Sequence, residues 1–184
     1  MTRILLLMIL TLASVFAGPI SSITPTAVEL VATGGDVIVY FAGQTAGYDS
    51  VLNLISPTTV GPFFPNHATA VGTSLNLGTF NVGDVLRFRM DVVSTGDSFY
   101  SGPASGNADS MIHVGHAGWA ADATIPYNGV LVGFEDLYGG GDLDYDDNTF
   151  VFRNVTSTAV VPEPSSWLLA GAGVSALLLR RRRG

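Results

Sequence analysis

Six carboxylates crowd into thirteen positions near the end of this chain: Glu135, Asp136, Asp142, Asp144, Asp146 and Asp147, in the stretch GFEDLYGGGDLDYDDNTFVF. Like charges at that density repel one another unless something positive offsets them. No Lys or Arg lies between Arg89 and Arg153 to do so. The chemistry open to such a set is cation binding. Asp142, Asp144 and Asp146, at i, i+2 and i+4, can turn their carboxylates to one centre in a curled loop, and Gly139-Gly140-Gly141 frees the backbone to curl. Hard oxygen ligands in that number suit Ca²⁺. The loop is not an EF-hand, which would place glycine after the third acid and a glutamate six residues beyond it, where this chain has Asp147 and Arg153. Spacing alone leaves a solvated acidic hairpin tip as the alternative.

Catalytic readings are weaker. Gly96-Asp97-Ser98 has Phe99-Tyr100 after it, where a serine-protease loop needs glycines, and Gly72-Thr73-Ser74 lacks the frame of a nucleophile elbow. His113-Val114-Gly115-His116 has no zincin glutamate and is broken by glycine, so these histidines are expected at a strand end or loop, serving packing or hydrogen bonding. Asp109 and His113 could reach the same end of the fold as the acidic loop, which sequence alone does not decide. A glycosidase reading would make Glu135 or Asp136 the acid. Against it, the acids sit together in a glycine-rich loop with no apolar pocket evident to raise one of them. Trp119 and Tyr127 could stack on sugars, but a buried aromatic is the expected role of each. The chain is therefore expected not to be an enzyme, with a secreted carbohydrate-binding or carbohydrate-active protein as the alternative.

Composition narrows the partners. The chain has 184 residues, room for one domain with segments left at each end. It contains no lysine, and between Gly18 and Val161 three arginines face fourteen acids. Nucleic acid is excluded as a partner, since phosphate is bound by Lys and Arg. With no cysteine there is neither a disulfide framework nor a thiolate metal site.

The elements that must position the acids read as strands. In DVLRFRMDVV, residues 84–93, Leu86, Phe88, Met90 and Val92 share one face while Arg87, Arg89 and Asp91 share the other. Residues 36–43 and 75–80 read as further strands, and a late pair, 130–137 and 149–155, flanks the acidic loop. Turns are expected at 33–35, 44–47, 61–66, 81–83 and 102–106. Without helical patterns between the strands, this predicts an all-β fold over residues 18–155: an antiparallel β-sandwich, jelly-roll-like or immunoglobulin-like. Residues 156–161 read as a linker.

The two ends carry addresses. MTRILLLMILTLASVFAG has one early arginine, an apolar run and small residues ending at Ala17, the order of a secretory signal helix cleaved by signal peptidase after residue 17. At the other end, residues 165–179 are a hydrophobic helix somewhat short of the ~20 residues that span a bilayer. The arginines Arg180, Arg181, Arg182 and Arg183 behind it favour the cytoplasmic side, which leaves the body outside the inner membrane.

Pro162-Glu163-Pro164, the apolar helix containing Gly171 and Gly173, and the terminal arginine cluster together resemble the PEP-CTERM sorting signal of Gram-negative bacteria. That resemblance implies recognition by an exosortase-type sorting protease, cleavage near the Pro-Glu-Pro, and release to the cell surface or the exopolysaccharide matrix. The body carries a second likeness. Phe134-Glu135-Asp136-Leu137, a glycine-rich spacer, Asp142-x-Asp144-Tyr145-Asp146-Asp147 and then Phe150-Val151-Phe152 are similar to the closing motif of domain of unknown function 4114, found in exported, often PEP-CTERM-tailed, proteins. In that family the position of Asp146 is often asparagine. The resemblance implies calcium-assisted structure or adhesion, with Ca²⁺ as the cofactor.

Overall fold

The structure is a computed structural model and describes residues 23–25 and 28–159. The expected signal helix (1–17) and C-terminal helix (165–179) lie outside these residues. No helix among the described residues is long and apolar enough to cross a membrane.

The fold is all-β, with two antiparallel sheets. Strands β1 (Thr24–Pro25), β3 (Gly35–Gln44), β6 (Ser74–Phe80), β9 (Val114–Trp119), β10 (Gly129–Phe134) and β11 (Asn148–Arg153) form one sheet, in the order β1-β9-β10-β11-β3-β6. The other holds β2 (Val28–Ala32), β4 (Ser50–Ser56), β5 (Val60–Phe63), β7 (Val85–Val92), β8 (Asp97–Tyr100) and β12 (Val155–Ala159), in the order β12-β2-β7-β4-β5 with β8 beside β7. A single 3₁₀ turn, Ala104–Gly106, is the one helical element among the described residues.

Alternation along β7 explains how the sheets close on each other. Leu86, Phe88, Met90 and Val92 are all buried, while Arg87, Arg89 and Asp91 point away and Arg89 Nε meets Asp91 at 2.7 Å. The buried set faces Val37, Val39 and Phe41 of β3, Val132 and Phe134 of β10, and Phe150 and Phe152 of β11 in one apolar core, with the Phe88 and Phe152 rings 4.8 Å apart. Burying side chains of this size contributes about 1.5–3 kcal/mol each, enough to make the core the main cohesive element. Together the two layers hold twelve strands among the described residues, more than the seven to nine of an immunoglobulin-like sandwich.

One boundary differs from expectation. Residues 156–161 read as a linker, yet Val155–Ala159 form β12, paired antiparallel with β2 from Val155↔Ala32 to Ala159↔Val28. Small polar residues at a sheet edge satisfy the backbone ladder without giving an apolar signature.

Candidate metal centre

The acidic loop joins β10 to β11, which pair from Phe134↔Asn148 to Val130↔Phe152. This hairpin sits in the middle of its sheet, with β9 beside β10 and β3 beside β11. The loop therefore emerges between two neighbours, the 109–113 segment leading into β9 and the 45–49 segment leaving β3. Inside it the chain curls left-handed: Gly139, Gly140, Gly141, Leu143 and Tyr145 all have positive φ. Glycine accepts that conformation at no steric cost, which is why three of them lead the turn. Gly133 is needed for a different reason, since a methyl group there would collide with the carbonyl oxygen of Tyr145 at 1.8 Å.

Three of the six acids converge. Glu135, Asp142 and Asp144 each offer a carboxylate oxygen, and the three lie within 4.8 Å of one another. Glu135 is wholly buried at the base, whereas Asp142 and Asp144 are exposed above it. Its Oε1 accepts the Tyr145 N–H at 2.5 Å, while its Oε2 is enclosed with no hydrogen-bond partner. A methyl group at Gly141 would stand 2.8 Å from that Oε2, so the glycine keeps the space before it open. Burial first, and then the charges of Asp147, Asp144 and Asp142, push Glu135 up to about 7 against the pull of the Tyr145 N–H. Asp144 is also raised, by burial and by the neighbouring acids Asp146 and Asp142, although the Asp146 N–H opposes this.

Asp136 and Asp147 form a second pair. The Asp136 N–H donates to Asp147 Oδ2 at 2.9 Å, and the buried Asp136 Oδ2 has no partner. Burial and the adjacent Asp147 carboxylate push Asp136 up to about 7. Glu135, Asp136, Asp142 and Asp147 line a cleft of about 440 Å³, with Gly47, Tyr48, Leu137 and Gly141 completing its wall. Asp146, expected to join Asp142 and Asp144 at one centre, turns instead to Thr45, whose hydroxyl donates to its Oδ1 at 2.5 Å.

Behind the loop stands a buried Asp-His pair. His113 Nε2 lies 2.8 Å from Asp109 Oδ2 and its Nδ1 3.2 Å from the carbonyl oxygen of Glu135. The ring stacks on Phe99 at 3.8 Å, joining the loop to the opposite sheet. Asp109 also accepts the N–H groups of Gly139 and Met111. Burial would raise its carboxyl, but these donors and His113 hold it below the usual range. His113 and Asp109 thus do reach the acidic end, as packing and hydrogen-bonding residues. On the other flank, His67 was missed by sequence reasoning, being a lone histidine in no motif. Its Nδ1 lies 2.8 Å from Asp49 and its Nε2 3.0 Å from the Ala46 carbonyl, and the Asp49 contact foremost raises its pKa. It pins the segment that forms the far wall of the cleft.

The donor set fits a hard cation. Calcium binds oxygens at about 2.3–2.6 Å, so ligands on opposite sides of one ion stand roughly 5 Å apart, and three carboxylates that converge within that span can share it. An enclosed carboxylate oxygen without a donor is costly unless a positive charge meets it. Two expectations need correcting. No apolar pocket was evident to raise an acid, yet Glu135 and Asp136 are buried against the sheet end and raised to about 7. Tyr127 was expected to be buried but is 40% exposed, its ring under the Arg153 guanidinium at 4.3 Å, while Trp119 is partly buried. Trp119 pairs with Gly129 at one end of β9–β10, and the acids follow Val114↔Phe134 at the other. Five residues of strand, about 17 Å, separate the two ends.

The fold and the cleft define an all-β protein with an acidic candidate cation site and an acidic surface. Its tail is more specific. Residues 160–183 match the PEP-CTERM protein-sorting motif, which includes Pro162, Glu163, Pro164 and the arginines from Arg180 to Arg183. That motif is the one exosortases recognise, and it implies export with C-terminal membrane anchoring before sorting. Neither the curated proteins nor the solved structures give a match to this chain.

Proposed function

We propose that this chain is a non-catalytic protein of the cell surface or extracellular matrix, released from its membrane anchor by an exosortase-type protease and stabilised by Ca²⁺ in the 135–147 loop. Signal peptidase removes residues 1–17, and exopolysaccharide is the expected surrounding. The observation that carries the calcium reading is the enclosed, partnerless Oε2 of Glu135, whose carboxylate gathers with those of Asp142 and Asp144. The likeness of this loop to domain of unknown function 4114 points the same way. Calorimetric titration with Ca²⁺ tests it: the wild type gives a saturable heat that Asp144→Ala diminishes, and no heat at millimolar calcium sinks the reading.

The carbohydrate-active alternative draws on one observation, a carboxyl raised to about 7 at Glu135 beside other acids in an open cleft. The separation of Trp119 and Tyr127 from that cleft supports the structural role over it. A hydrolysis screen on polysaccharides, with and without calcium, distinguishes the two, since the structural protein leaves every substrate intact.

A further inference from the structure

We infer that the acidic loop holds two cations, the second bound between Asp136 and Asp147 on the cleft side of the first. The inference rests on the calcium reading of Glu135, Asp142 and Asp144 and extends it. Those three residues gather their oxygens within 4.8 Å, and neither Asp136 nor Asp147 belongs to that group. An ion held by the first three alone leaves the charge of the other pair unmet.

The second pair carries its own mark of a missing positive charge. Asp136 is 3% exposed, and its Oδ2 is enclosed without any donor. Its backbone N–H holds Asp147 Oδ2 at 2.9 Å, so the two carboxylates are kept side by side where repulsion alone would part them. The histidine on this flank, His67, directs both ring nitrogens elsewhere, to Asp49 and to the Ala46 carbonyl. Asp147 is also fixed from behind, its carbonyl oxygen accepting the N–H groups of Thr45 and Ala46.

The cleft determines the chemistry of the ligand. Two carboxylates are few for calcium, which takes six to eight oxygens, so the remaining positions fall to water. A cleft of about 440 Å³ has room for it. The second site is thus a hydrated, weaker Ca²⁺ site, filled after the first.

Equilibrium dialysis of the full chain in detergent against Ca²⁺, with bound metal counted per chain, tests this. The wild type binds two ions, Asp136→Asn binds one, and Asp144→Ala binds one. Retention of the Asp144-dependent ion in Asp136→Asn shows that this isosteric variant is folded. One ion in the wild type, unchanged by Asp136→Asn, overturns the second site and leaves the first. No ion bound at all overturns both.

Discussion

Glu135 is the residue on which the account turns, because a buried carboxylate costs free energy that something must offset. Its carboxyl rises from an ordinary 4.5 to about 7 in the folded chain. The sign follows from linkage: a raised carboxyl stabilises the metal-free fold fully below the unfolded value, and that contribution is lost as pH rises through the folded one. The metal-free protein should therefore lose about 3 kcal/mol through this group between pH 4.5 and pH 7 and above. On the proposed calcium reading the ion reverses the trend, since binding needs the proton gone and affinity grows over the same window. Glu135→Gln keeps an acceptor for the Tyr145 N–H and removes the charge. In chelator at pH 8 it should be the more stable protein, by up to about 3 kcal/mol in denaturant unfolding, and should gain less from calcium than the wild type. A variant less stable than the wild type in chelator would mean that the carboxylate is not held as an unpaired anion.

The hairpin that presents the loop was legible in the sequence, and much of what braces it was not. Residues 130–137 and 149–155 read as a pair around the acids, and β10 and β11 pair in register on both sides of them. β7 was legible for the same reason, an alternation of large apolar and charged residues that only a half-buried strand requires. Other strands give no such signal. β9 reads VGHAGW, its pattern broken by two glycines, and β5 is four residues with a proline, which resembles a turn. The brace at the site was half visible. Asp109 and His113 stood out as chemistry-bearing residues, but their meeting with Glu135 and Gly139 depends on β9 lying beside β10, a tertiary fact. The burial of Glu135 was hidden for that reason too, because a glycine-rich acidic stretch looks solvated until its neighbours are placed. His113→Ala removes a buried ring stacked on Phe99 and leaves Asp109 without its partner. It should cost about 3 kcal/mol in unfolding and weaken calcium binding several-fold, since the loop loses its tether at Glu135. Loss of stability with calcium affinity intact would make the pair a part of the core alone.

For the whole molecule, charge and tail agree. A body with fourteen acids and three arginines stays soluble and attracts cations. A PEP-CTERM motif at residues 160–183 implies export of such a body, anchored at its C-terminus before sorting. On the proposed calcium reading, a loop costly to fold without metal suits a protein that completes its structure after export. Intact mass and cell fractionation of the native protein should find residues 1–17 and the segment beyond Pro164 missing, and the remainder outside the inner membrane. A full C-terminus recovered with the membrane would contradict the sorting step.

If calcium completes this fold, the melting temperature of the full chain at pH 8 depends on it. A ligand at a hundred times its dissociation constant adds about 2.7 kcal/mol to stability. For a domain of this size the expected rise is about 5–10 °C between chelator and millimolar calcium, and much smaller in Asp144→Ala. Identical melting temperatures in calcium and in chelator would contradict it.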